Sequence, residues 1–481
     1  MGLPGIVVAL GLLIFFAYRG WSVLLLAPAA AVLAAGIAGE PILAHWTQTF
    51  MGAAARFIMQ FFPIFLLGAL FGKLMEDSGS VSAIARFMTE RLGPQRSILA
   101  VVLAGALVTY GGVSLFVAFF VLAPMAHELF RAAAIPRRLM PATIALGTST
   151  FTMSALPGTP AIQNAIPMPF FGTTPFAAPG LGIIASLIML GFGLWWLSRA
   201  EASARKRGEG CGGVMTMDAA NDPLVRERAT TSGSFDPVEA THGALSPDEP
   251  PIGIAMLPLF VVVGVNLLMS LIVLPRIDAS FLADPIWGET SLASVAGVWA
   301  VATALACAVV VLIAFNFRRL PSLRASMDAG ANASALPVLS VASLVGFGAV
   351  VAALPAFDLV RNWVLGIEGG PLVSLAVATN VLASLTGSAS GGLTIALDAL
   401  GQSYMQIAAE QGIDPALMHR VAVIGAGTLD SLPHNGAVVT LLAVCGSTHR
   451  ESYLDIVVVS IVGALIALAA VIVLGSMFGS F

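Results

Sequence analysis

The chain has 481 residues, 58% of them hydrophobic and 10% charged, with a formal net charge of −4. Soluble domains carry roughly 25% charged residues, so this composition excludes a water-soluble enzyme or a nucleic-acid-binding domain. It points instead to a chain dissolved in a lipid bilayer. Three cysteines, Cys211, Cys307 and Cys445, lie too far apart in sequence to suggest a disulfide framework or a metal site, and no cofactor is expected.

In chain order, apolar runs long enough to cross ~30 Å of hydrocarbon predict spans near Leu3–Tyr18, Trp21–Ala38, Phe57–Met75, Leu139–Phe171 and Phe176–Ser198. No basic head precedes the first run, so it is read as an uncleaved span and not as a signal peptide. The segment 199–251 is rich in Gly, Ala, Thr, Asp, Glu and Arg, and predicts a flexible cytoplasmic linker. Further spans are expected near Ile252–Leu274, Ser291–Phe317, Ala335–Leu354, Val421–Cys445 and Tyr453–Phe478. Two other apolar stretches, 98–125 and 371–400, have glycine-rich polar centres. Reading both as re-entrant hairpins, with both termini periplasmic, leaves only Arg56, Arg276, Arg361 and Arg420 on the outer side, as the positive-inside rule favours.

An internal repeat recurs at an offset of about 276 residues. Met51-Gly-Ala-Ala-Ala matches Met327-Asp-Ala-Gly-Ala, and Phe71-Gly72 matches Phe347-Gly348. Ala155-Leu-Pro157-Gly-Thr-Pro-Ala161 matches Ser431-Leu-Pro433-His-Asn-Gly-Ala437. The expected fold is therefore an all-α polytopic membrane protein of two inverted five-span repeats, residues 1–198 and 252–481, each with one re-entrant hairpin and one broken helix (139–171 and 421–445). Such repeats, meeting near the bilayer midplane, are the architecture of alternating-access carriers.

Four irregular segments pair up across the repeat. The first hairpin turns at Thr109-Tyr110-Gly111-Gly112-Val113-Ser114, the second at Thr386-Gly387-Ser388-Ala389-Ser390-Gly391-Gly392. Glycine permits the turn, and the backbone exposed there must line a polar cavity because lipid cannot satisfy it. The breaks contain Ser154, Pro157, Gly158 and Thr159, with Gln163 and Asn164 beyond, and Asp430, Ser431, Pro433, His434 and Asn435. Proline ends one half-helix, and the next presents free N–H groups suited to a carboxylate. The candidate substrate-binding residues are Thr109, Tyr110, Gly111, Gly112, Ser114, Ser154, Gly158, Thr159, Asn164, Thr386, Ser388, Ser390, Ser431, His434 and Asn435. No Lys or Arg falls in the core of an expected span or hairpin, so these groups are expected to hold a small organic acid anion without a fixed cation.

Asp430 and His434 are the ordinary acid and base expected near mid-membrane depth, where ionisable residues are costly and usually functional. They are the candidates for proton coupling. The alternative is that Asp430 caps the half-helix that follows and His434 is a packing residue. Asp398 is a weaker candidate, and Glu76 and Asp77, beside Lys73 at the cytoplasmic end of the third span, are expected to form a solvated helix-end cluster in preference to a gate. Gly387-Ser388-Ala389-Ser390-Gly391 fits a nucleophile elbow by pattern but lacks its strand–turn–helix setting, and no enzyme is expected. The linker lacks a folded sensory domain, so a sensor is disfavoured, and the repeat disfavours a channel.

The stretches FLLGALFGKLMEDSGSVSAIA (65–85), TYGGVSLFVAFFVLAPM, SALPGTPAIQN, LTGSASGGLTIALDAL and DSLPHNGAVVTLLAVCGSTHRESYLDI resemble the gluconate permease family of the ion transporter superfamily. The resemblance covers the membrane portion and not the linker. It implies a bacterial inner-membrane proton symporter for gluconate or related hydroxy acids, with substrate held by hairpin tips and broken helices. The run PGTPAIQNAIPMPFFGTTPFAAPG is similar to the branch of D-3-hydroxybutyrate permeases. Sodium-coupled relatives place Ser/Thr/Asn motifs at the hairpin tips that TYGGVS and TGSASG do not reproduce, so protons are favoured over sodium. By analogy with the superfamily a homodimer is expected.

Overall fold

The computed structural model describes residues 2–19, 21–209, 245–433 and 435–481; the centre of the expected linker and His434 lie outside the described residues. Within them the chain is helical throughout. Helices α1 (Gly2–Tyr18), α2 (Val23–Ala38) and α3 (Ile42–Asp77) lead to a short α4 (Ser80–Leu92). Then come α5 (Ser97–Tyr110), α6 (Leu115–Ala132), α7 (Met140–Thr148), α8 (Phe151–Ser154), α9 (Ile162–Ala165), α10 (Pro167–Phe171) and α11 (Pro179–Lys206). After the linker follow α12 (Ile252–Arg276), α13 (Leu292–Asn316) and α14 (Leu323–Ala353), then a short α15 (Phe357–Leu365). The chain finishes with α16 (Pro371–Thr386), α17 (Ala389–Gln411), α18 (Pro415–Thr428), α19 (Gly436–Val444) and α20 (His449–Phe478). Seven of these helices are individually long and apolar enough to cross a membrane.

All ten expected spans coincide with helices or broken helices. The second legs of both hairpins, α6 and α17, run further than expected, to Ala132 and Gln411. The short α4 and α15, each directly ahead of a hairpin, were not foreseen; α4 meets the leg that follows it at an angle of 104°. The linker is also shorter than expected at both ends. Helix α11 continues through Lys206, supported by an Arg205–Glu201 pair one turn apart. At the other end Ser246 N–H donates to the Asp77 carbonyl (2.8 Å), and Arg86 of α4 pairs with Glu249.

The helices fall into two packed groups. In one, α1, α2, α3, α12, α13 and α14 pack against one another. In the other, the hairpin legs α5, α6, α16 and α17 pack with α7, α11, α18 and α20. The groups touch chiefly through α14 against α17, α12 against α4, and α13 against α10. Buried side chains of both groups form one large apolar core, with a smaller one where α1 and α2 meet α14. Local caps explain where the hairpin and break helices start. Ser114, Ser388, Asp414 and Asn435 each accept a backbone N–H from the helix they open.

Candidate site at the meeting of two hairpin tips and two helix breaks

The two tips turn where Gly112 (φ +101) and Gly387 (φ +63) take left-handed backbone, a region open to glycine at no steric cost. Both tips point into one cavity of about 260 Å³. This lies below the roughly 300–1,000 Å³ typical of drug-sized ligand pockets and suits a smaller solute. One wall is built from the tips and breaks: Thr109, Gly112, Ser114, Gln163, Thr386, Ser388, Ser390, Asp430 and Asn435. The facing wall comes from α3 and α14, including Gly72, Lys73, Glu76, Ser334 and Ser340. The walls meet closely at Gly72, where a Cβ would lie 3.6 Å from the Ser114 nitrogen.

The second tip is fastened by Asp430. Its Oδ1 accepts the Ala389 N–H (3.0 Å) at the start of α17 and the Asn435 Nδ2 amide (2.7 Å). The same Asn435 amide donates to the Gly387 carbonyl (2.8 Å), while its Oδ1 accepts the Ala437 and Val438 N–H groups and caps α19. Asp430 thus caps the hairpin leg, and Asn435 caps the half-helix that follows. A carboxylate suits a helix N-terminus, where free N–H groups and the helix dipole favour negative charge. The first tip is fastened by a neutral group: Tyr110 Oη donates to the Pro157 carbonyl (2.9 Å).

Of the expected site residues, Thr109, Gly112, Ser114, Thr386, Ser388, Ser390, Asp430 and Asn435 line this cavity. Ser154 and Ser431 line a void of about 30 Å³ behind it, which Asp430, Asn435 and Gln163 also border. Tyr110, Gly111, Gly158, Thr159 and Asn164 line neither. Asn164 is buried as a clamp: its Nδ2 donates to the Thr159 and Pro175 carbonyls (3.1 and 3.0 Å). Gly158 accepts from Asn266 Nδ2 of α12 (3.0 Å), which ties the first break to the other helix group. Asp398, on the second leg of its hairpin, does not line the cavity.

Two expectations are overturned. Lys73, Glu76 and Asp77 are not a solvated helix-end cluster. Asp77 is fully buried, Lys73 is 6% exposed, and Lys73 Nζ lies 3.2 Å from Glu76 Oε2 and 3.1 Å from Asp77 Oδ1. Asp77 Oδ2 accepts the Ser326 hydroxyl of α14 at 2.6 Å. Since Lys73 lines the cavity, the site does have a fixed cation. Arg420, counted among the outer charges, is fully buried on α18, which the charge count did not foresee. Its guanidinium donates to the Ala177 carbonyl (2.6 Å from Nη2), the Ser154 carbonyl (3.5 Å) and Asn164 Oδ1 (3.4 Å). The neighbouring His419 reaches Thr173 Oγ1 (2.6 Å) and Asn164 Oδ1 (3.2 Å). Arg420 therefore pins the first break to α18. Ser340, also missed, has a buried hydroxyl on the cavity wall with no hydrogen-bond partner among the described residues.

A polytopic helical chain with two helix-turn-helix tips and two broken helices around one polar cavity is a multi-pass integral membrane transporter in construction. Comparison gives the family. The description "GntP family permease" matches residues 2–170. The chain is also 41% identical over 483 residues to the "Uncharacterized transporter YxjC" of Bacillus subtilis (strain 168), an alignment spanning 98% of each chain. The chain belongs to the GntP permease family, the gluconate permease family that its motifs resemble.

Proposed function

We propose that the chain is a proton-coupled symporter of a small hydroxycarboxylate, such as 3-hydroxybutyrate or gluconate, in a bacterial inner membrane. The observation that carries this reading is the convergence of both tips, both breaks and Asp430 on one small cavity between the two helix groups. Hydroxyls of Thr109, Ser114, Ser388 and Ser390 supply neutral donors and acceptors for a hydroxy acid.

In this mechanism Asp430 is the coupling group. Ionised, it strengthens the bonds from Ala389 N–H and Asn435 that hold the second tip to its break. A proton arriving from the cavity cancels that charge, loosens the tip, and lets the loaded hairpin group move against α3 and α14. The two halves, related about 276 residues apart, would act as inverted repeats rocking or sliding about the cavity.

The test is uptake of labelled 3-hydroxybutyrate into proteoliposomes holding the purified protein, with an inward proton gradient and no sodium. Accumulation above equilibrium that collapses with a protonophore supports the reading. Accumulation that requires sodium replaces protons as the coupling ion, and no transport of this acid or of gluconate overturns the substrate class.

A further inference from the structure

Lys73 lies between two carboxylates that are held very differently. Asp77 is fully buried, absent from the cavity lining, and locked by the Ser326 hydroxyl at 2.6 Å. Glu76 lines the cavity, with 12% of its side chain exposed, and meets Lys73 at 3.2 Å. One carboxylate would balance the ammonium. The second is surplus and is the one that faces the substrate space.

Among the described residues, Lys73 is the cation that Glu76 meets. On α14, Arg324 pairs with Asp328 in solvent; on the segment before α12, Glu249 is taken by Arg86 and Asp248 adds further negative charge. Across the cavity stands Asp430. The cluster lies one residue from Gly72, where α3 touches the first hairpin tip. Residues about 276 further on, Ala349, Ala352 and Ala353, carry no charge, so the second half has no counterpart.

We propose that Lys73 is the carboxylate-binding cation of the transport site and that Glu76 is a built-in stand-in for the substrate, occupying Lys73 when the cavity is empty and displaced when the acid arrives. This rests on the reading of the cavity as a hydroxycarboxylate site. Asp77 balances the charge of Lys73 in both loaded and empty carriers, and exchange of one carboxylate for another keeps an acceptor on the face of the ammonium that looks into the cavity. A buried ammonium N–H stripped of its acceptor would be costly, so Glu76 is what lets the empty carrier return. Asp77, held by Ser326, stays in place throughout. The Ser340 hydroxyl on the same wall, unpartnered among the described residues, offers a hydrogen bond to the bound acid.

Glu76 and Asp430 therefore have separable signatures. Glu76→Gln removes a competitor: half-saturating 3-hydroxybutyrate should fall about tenfold, and the proton gradient should still drive what uptake remains. Net uptake should slow because the empty carrier returns poorly, while counterflow exchange is kept. Lys73→Met should raise half-saturation at least tenfold, and Lys73→Arg should recover part of the loss.

Binding is read directly on detergent-purified full-length protein, by thermal shift with 3-hydroxybutyrate and gluconate titrated separately. Stabilisation of the unaltered protein by neither acid overturns the hydroxycarboxylate reading itself. Stabilisation of it, with the Glu76→Gln titration shifted to lower concentration, supports the exchange. Unchanged titrations in both Glu76→Gln and Lys73→Arg overturn the exchange while leaving the transporter reading intact, and the Glu76 arm holds even where Lys73→Met fails to fold.

Discussion

At the first hairpin tip, the turn at 111–113 is tied to its broken helix by a phenol, Tyr110 to the Pro157 carbonyl, and faces a lysine on the opposite wall. At the second, the turn at Gly387 is tied to its break by a carboxylate and an amide, Asp430 and Asn435, which face the cavity themselves. The legs differ too. In hairpin two a Cβ at Gly392 would lie 2.2 Å from the Ala383 nitrogen, so the legs meet backbone to backbone. In hairpin one a Cβ at Gly105 would first meet side-chain ends, Thr148 Cγ2 of α7 at 2.9 Å and Leu122 Cδ1 of the other leg at 3.2 Å, with Gly147 backbone further off at 3.5 Å. Similar shapes are thus held in one case by a titratable group and in the other by a neutral one. Proton dependence is accordingly expected from the second tip and not the first.

The largest effect that would sharpen this contrast is Asp430→Asn. Gradient-driven accumulation should vanish while counterflow exchange survives. Next, Gly392→Ala forces the second hairpin's legs apart and should cost several-fold in folded yield and transport, since overpacking typically costs ~1–3 kcal/mol. Gly105→Ala, where the nearest atoms are side-chain ends and backbone stands off at 3.5 Å, should cost less; size-exclusion recovery and melting temperature check both. Arg420→Met leaves the Ala177 and Ser154 carbonyls without a donor, at ~1–3 kcal/mol of stability. Its melting temperature should fall without any shift in half-saturating substrate. The smallest effect is Tyr110→Phe, which removes one hydrogen bond worth about 1 kcal/mol and should leave the proton dependence of uptake unchanged. Loss of proton dependence there would break the comparison.

Much of this arrangement was legible in the sequence because glycine and proline mark it. The tips at Gly112 and Gly387 and the breaks after Ser154 and Asp430 carry residues that a plain span has no use for, and the structure brings eight of the expected residues to one cavity. What was not legible depends on tertiary neighbours. Lys73, Glu76 and Asp77 sit at a helix end, where charge ordinarily means water. Only Ser326 on α14, far away in sequence, shows the cluster to be buried. Arg420 read as an outer flanking charge because its acceptors, the carbonyls at Ser154 and Ala177, are backbone atoms that no side-chain pattern reveals. The short α4 was hidden because its buried face is only Ser80, Val81, Ala83, Ile84 and Ala85, too brief for an apolar run. The first edge of the expected linker was missed for a related reason: composition saw its charge but not the Arg205–Glu201 pair that extends α11.

In the proposed mechanism the cavity between the tips binds a small hydroxycarboxylate and Asp430 couples its movement to protons. The most direct measurement is paired assay of unaltered and Asp430→Asn protein in the same proteoliposome preparation, comparing accumulation under an imposed pH gradient with counterflow at equal pH. Both activities are expected in the unaltered protein and counterflow alone in the variant. Full gradient-driven accumulation by Asp430→Asn would contradict that mechanism.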